Sequence, residues 1–167
     1  MNPSKPQIQA PTCLPAELAS SPVFLLGRLG YELKRRATAA LEAVGYALYD
    51  FSVLSLLAES PCQAQGEIAD LLNLDRGQLV GLLDSLEERQ LIERQRDPKD
   101  RRRQTVKLTR AGRQELGRLR GLVARIEDDF LAALDLNERG ELEQLLARVA
   151  RHIDPRFAER GSVAVAS

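Results

Sequence analysis

The chain has 167 residues, 44% hydrophobic and 29% charged, with equal numbers of basic and acidic side chains. That is enough apolar material for one compact core or two coupled lobes, and it argues against disorder. No apolar run reaches the roughly eighteen residues of a membrane span, and residues 1–15 carry neither the basic nor the apolar region of a secretory signal, so no membrane partner and a cytoplasmic location are expected.

In chain order, residues 1–21, with Pro3, Pro6, Pro11 and Pro15, read as a flexible arm. From Val23 onward Leu26, Leu29, Leu33, Ala37, Ala40, Leu41 and Val44 recur at helical spacing up to Gly45. A second helix fits Leu48 to Glu59 on the stripe Phe51, Leu54 and Leu57, and Pro61 prevents its continuation. A third fits Ala64 to Leu72, with Ile68, Ala69 and Leu72 inward. After Asn73-Leu74 a fourth starts at the N-cap Asp75 and runs through Leu79, Leu82, Leu83 and Leu86. Two short helices across a tight turn form a helix-turn-helix.

The period then changes. Ile92 to Arg96 and Gln104 to Leu108 read as strands, with Val106 and Leu108 on one face and Thr105 and Lys107 on the other. Between them lies Asp97-Pro98-Lys99-Asp100-Arg101-Arg102-Arg103, and a hairpin with such a tip after a helix-turn-helix is a wing. Thr109 caps a long fifth helix on the seam Leu116, Leu119, Leu122, Val123, Ile126 and Phe130, to about Leu134. Asn137 is expected to cap a sixth, with Leu142, Leu145, Leu146, Val149 and Ile153, before Pro155 stops it. The fold class is mainly α with a small β-hairpin wing. Its divisions are a long first helix at 22–46, a winged helix-turn-helix lobe at 47–113, two C-terminal helices at 114–154 whose apolar stripes exceed what one small lobe can cover and so suit dimerisation, and a flexible tail at 155–167.

Zero net charge hides an asymmetry. Residues 94–120 carry +8, between flanks of −5 and −3. Such a block is the footprint a polyanion uses, although a solvated basic face would also account for it. An arginine at the hairpin tip gains most in a narrow minor groove of double-stranded DNA, and Lys99, Arg101, Arg102 and Arg103 are the candidates. Asp100 among them can hold one guanidinium fork in place. On the fourth helix, Arg76 and Gln78 suit guanine and adenine edges, Gly77 leaves room for backbone approach, Val80 suits a thymine methyl, and Ser85 a phosphate.

Leu91-Ile92-Glu93-Arg94, Asp97-Pro98-Lys99-Asp100-Arg101-Arg102 and Val106-Lys107-Leu108-Thr109-Arg110-Ala111-Gly112 resemble, as an ordered set, the signature of the multiple-antibiotic-resistance regulator (MarR) family. Asp75 to Leu86 is similar to that family's recognition helix and Glu67-Ile68-Ala69 to the helix before it, so the likeness runs from about Val23 to Ile153. It implies a homodimer with interleaved first, fifth and sixth helices. Arg102 then matches the minor-groove arginine, and Asp75 and Asp100 match acidic positions that orient the wing. A repressor, less often an activator, is implied, with a small, often phenolic, effector. The chain departs from the pattern at Gly81 and Ser85, where many relatives carry arginine, and at Gln90, where a glycine is usual.

Other readings are weighed beside this one. Cys13 or Cys62 could make the chain a redox-sensing regulator, and a winged helix can also be a protein-interaction module without DNA binding. Tyr31, Tyr46 and Tyr49 could line a ligand cavity or simply belong to the core. No nucleophile elbow, phosphate loop, dinucleotide fingerprint or zinc-protease motif occurs, so no catalytic residue and no cofactor are expected. Two cysteines and the single His152 do not supply a four-ligand zinc site within one chain.

Overall fold

The computed structural model describes residues 13–59, 63–96 and 104–157. Along them run α1 (Ala16–Ala19), α2 (Pro22–Ala43), α3 (Leu48–Glu59), β1 (Gln63–Ala64), α4 (Gln65–Leu72), α5 (Arg76–Glu88), β2 (Ile92–Arg96), β3 (Gln104–Leu108), α6 (Arg110–Phe130) and α7 (Leu136–Ile153). A 3₁₀ turn, Pro155–Phe157, closes the described chain. The sheet is antiparallel, in the order β1-β3-β2, with Ile92 opposite Leu108 and Arg96 opposite Gln104.

The second helix and both wing strands occupy the residues that spacing indicated. Other elements differ. The stretch read as an arm contains α1, and the Ser21 hydroxyl caps α2 by accepting from the Phe24 amide at 3.4 Å, with Pro22 at the first helical position. β1 went unforeseen because two residues cannot show alternation. Its partners fix it, Gln63 pairing with Val106 and Ala64 with Thr105, which makes β3 the central strand.

α6 stops at Phe130 rather than near Leu134, and Asp135, not Asn137, caps α7. No glycine or proline breaks the chain there. Instead the Asp135 carboxylate accepts from the amides of Asn137 at 2.8 Å and Glu138 at 2.9 Å. Glu138 in return accepts from the Asp135 amide at 2.9 Å, a reciprocal capping box. Arg139 then ties the bend by donating to the Asp128 carboxylate at 2.8 Å and the Leu134 carbonyl at 3.2 Å.

One core joins the elements. Leu41 of α2, Leu54 of α3, Ile68 of α4, Leu83 of α5, Val106 of β3 and Leu119 of α6 are all fully buried in it. Each such side chain contributes about 1.5–3 kcal/mol relative to an exposed one. Asp50 is buried among apolar residues and is satisfied by the Ala47 amide at 2.7 Å, which holds the start of α3.

The apolar seams of the long helices divide along their length. Ala37 and Leu41 of α2 and Leu116 and Leu119 of α6 enter the core, whereas Val23, Leu25, Leu26 and Leu29 remain exposed. None of the described residues of α7 is buried, and Leu136, Leu145, Leu146, Val149 and Ile153 face outward. One chain therefore leaves an apolar surface of a size that invites a partner.

Candidate nucleic-acid interface

The face of α5 opposite its buried stripe carries the expected base-reading residues. Leu79, Leu83 and Leu86 point into the core, and Arg76, Gly77, Gln78, Val80 and Ser85 are all exposed, Val80 to 45%. Asp75 caps the helix, its carboxylate accepting from the Gln78 amide at 2.9 Å. A Cβ at position 77 would lie 3.2 Å from that same carboxylate oxygen, so Gly77 keeps the cap uncrowded.

Both ends of α5 are pinned by local backbone geometry. Before it, Asn73 ends α4 with φ of 51°, a left-handed conformation that asparagine tolerates, and the Leu74 amide donates to the Ala69 carbonyl at 3.0 Å. After it, Gln90 takes φ of 58°, and the Leu91 amide closes onto the Leu86 carbonyl at 3.0 Å. This is a Schellman-type ending, whose left-handed position glycine fills at least cost.

The wing is fastened where that ending meets α6. The Leu91 carbonyl accepts from the Thr109 amide at 3.1 Å. The Thr109 hydroxyl donates to the Gln90 carbonyl at 2.7 Å and accepts from the Gly112 amide at 2.9 Å. A Cβ at Gly112 would stand 2.0 Å from the Leu91 oxygen. The Leu108-Thr109 and Ala111-Gly112 portion of the motif is thus the junction of recognition helix, wing and α6. Arg94 of β2 adds a second tie, its guanidinium binding Asp84 and its amide donating to Glu87 at 3.1 Å. Glu93 and Lys107, directly opposite on β2 and β3, pair at 2.9 Å.

Arg96 and Gln104 form the last described pair of the hairpin, both exposed. Lys99, Asp100, Arg101, Arg102 and Arg103 lie outside the described residues, as does Cys62. Two polar residues escaped the sequence reading. The Gln65 amide group in the first turn of α4 donates to the Gln104 side chain at 3.4 Å, and Gln65 and Gly66 line a depression of about 310 Å³ with Arg76, Leu79 and Val80. The first turns of α4 and α5 and the start of β3 consequently share one surface. Unbonded amides at a helix N-terminus suit a phosphate oxygen. The signal for Gln65 was available in the position of the third helix, but the start of β3 beside it was not.

The three tyrosines have different surroundings. Tyr46 is 6% exposed; burial first, then the neighbouring Glu115 carboxylate, pushes its pKa up. Glu115 is held below its ordinary value, chiefly by Arg118, which donates to it at 2.6 Å. Tyr31 is 68% exposed and borders a depression of about 400 Å³ with Lys34, Arg35, Thr38, Ala39 and Glu42; neither Tyr46 nor Tyr49 lines it. Tyr49 is exposed on α3. Cys13 is exposed just before α1, and His152 is exposed in the last turn of α7. Among the described residues no group of three or more His, Cys, Asp or Glu could hold a metal ion, and no single helix is long and apolar enough to cross a membrane.

A model of the MarR family matches residues 48–103, from the start of α3 to the end of the wing tip. A Thauera aromatica protein described as a transcriptional regulatory protein for the hcr operon is 36% identical over 137 residues. The match covers 76% of this chain and 81% of that protein. The transcriptional repressor CouR, solved bound to a 23-mer DNA duplex, is 36% identical, with a TM-score of 0.71 over 81% of this chain and 96% of CouR. The PcaV transcriptional regulator from Streptomyces coelicolor, solved with its natural ligand, is 27% identical. Its TM-score is 0.64, over 85% of this chain and all of PcaV.

Proposed function

From the premise that this chain belongs to the MarR family of transcription regulators and is not an enzyme, we propose that it is a cytoplasmic, homodimeric repressor of a pseudo-palindromic operator. Each protomer sets α5 into a major groove. Arg76 and Gln78 read base edges there, Val80 meets a thymine methyl, Gly77 allows close approach and Ser85 binds a phosphate. The wing tip enters the adjoining minor groove with Arg102, while Lys99, Arg101 and Arg103 meet the backbone. Asp100 orients the tip arginines, and Asp75, besides capping α5, contributes to orienting the wing.

The observation that carries this reading is that Arg76 and Val80 stand beside Gln65 and Gly66 of the first turn of α4, with Gln78 exposed in the same first turn of α5. The uncovered apolar surfaces of α2 and α7 supply the two-fold partner, and half-sites then lie about 34–36 Å apart. A small ligand, as the complex of PcaV with its natural ligand suggests, would release the operator by changing that separation, and the family resemblance points to a phenolic or otherwise aromatic one.

Titration against duplex DNA over a range of salt tests it. Each phosphate neutralised releases counterions, so affinity must fall linearly on a logarithmic plot, with a slope near −0.9 per contact. Binding that is absent, or indifferent to salt, leaves a protein-interaction module in its place.

A further inference from the structure

Arg89 is the one arginine of the 84–90 stretch, and it is bound to a part of the chain far from its own in sequence. It is the C-cap of α5, its guanidinium carbon lies 3.7 Å from the centre of the Tyr46 ring, and its Nη1 donates to the Gly45 carbonyl at 3.0 Å. Gly45 and Tyr46 form the turn between α2 and α3, where Gly45 takes φ of 82°. We propose that Arg89, stacked on Tyr46 and bonded to Gly45, is a positioning residue that sets the angle of the recognition helix against the dimerisation helices and so selects the half-site spacing.

Three observations support it. A planar guanidinium on an aromatic face, with a second bond at its edge, is held in one orientation, which a lysine cannot reproduce. The Tyr46 ring beneath it is anchored, since it is buried in the same core as Leu116 and Leu119 of α6. The contact therefore joins the end of α5 to the turn after α2 and, through Tyr46, to α6, the two helices that lead into the uncovered apolar surfaces. Other ties act elsewhere on α5: Asp75 caps its start, and Arg94 binds Asp84 and Glu87 from the wing side. Arg89 is the tie directed at the α2–α3 turn.

This inference rests on the proposed operator binding, and its first test does not need DNA. In a Cys13→Ser, Cys62→Ser background, a spin label on Gly81→Cys, an open position on the exposed face of α5, reports the distance between the two recognition helices of a dimer. Arg89→Ala should broaden that distance distribution while the melting curve and dimer mass stay those of a folded dimer, because the arginine side chain is at the surface. An unchanged distribution overturns the proposal. A broadened distribution in a protein that binds no duplex would sink the operator reading and leave the positioning role standing.

The second test uses duplexes whose half-sites are moved apart by one or two base pairs. Losing a stacked, hydrogen-bonded cation should relax the wild-type penalty for wrong spacing by about tenfold. A uniform fall in affinity for every duplex, with spacing preference intact, would make Arg89 a phosphate contact and overturn the proposal.

Discussion

Leu91 and Gly112 meet backbone to backbone: the Leu91 carbonyl oxygen occupies the space a side chain at position 112 would need, 2.0 Å from an ideal Cβ. The oxygen cannot retreat, because it accepts from the Thr109 amide at 3.1 Å and so holds the end of β3 against the start of β2. Gly112→Ala must then force α6 away from the wing base. The expected cost is about 3 kcal/mol, in the range of overpacked cores, read as a lower midpoint in denaturant unfolding. Thr109→Ala, which removes only the cap, should cost about 1 kcal/mol. An alanine at 112 no worse than the cap variant would show that the junction yields.

Gln90 should be improvable. Its φ of 58° is left-handed, and a glycine relieves the Cβ crowding there at the cost of a more flexible unfolded chain. Gln90→Gly is expected to stabilise the fold by about 0.5–1 kcal/mol, visible as a raised Tm. A lowered Tm would mean that the glutamine side chain supplies more than its backbone strain removes.

Acid sensitivity has one identifiable contributor in α2. Hydrogen bonds from Arg35 and Arg36, each at 2.8 Å, hold the Glu32 carboxyl at about 2 against an ordinary 4.5. Arg36 in turn lies over the Phe130 ring of α6 at 5.4 Å. Because the folded pKa is the lower one, the stabilisation is complete above about pH 4.5 and is lost as the pH falls through about 2. The stability difference between wild type and Glu32→Gln should be constant above that window and shrink within it. A difference that stays constant down to pH 2 would show Glu32 unpaired in solution.

The two arginines proposed to meet DNA should fail differently. Arg76→Ala is expected to erase about 1–3 kcal/mol of discrimination at one position per half-site while other positions keep theirs, as base-edge contacts do. Arg102→Ala should weaken binding with the dimer intact and make the salt slope shallower by about one unit. Affinity measurements on single-base operator variants separate the outcomes. Unchanged preference with Arg76→Ala would remove that residue from base reading.

Much of this architecture could be read before any coordinates, because the period of apolar residues switches from helical to alternating at Ile92 and back after Thr109. Val106 and Leu108 are buried as that alternation requires. What could not be read has specific causes. β1 is too short to show a pattern and exists only through its pairing with β3. The α7 cap was misplaced because Asn137 is a good capping residue considered alone. The decisive feature was the reciprocal pair Asp135 and Glu138. The exposed face of α5 followed from spacing, and its neighbours Gln65 and Gln104 did not, since they meet across 39 residues of sequence. The contact of Arg89 is equally invisible in the sequence, since its partners Gly45 and Tyr46 precede it by more than forty residues.

Selection of bound duplexes from a random pool tests the central claim most directly, since it reads binding, symmetry and spacing in one measurement. The account predicts an enriched inverted repeat whose half-site centres lie about one helical turn apart. Recovery of an unstructured pool, or of a single asymmetric half-site, would contradict it.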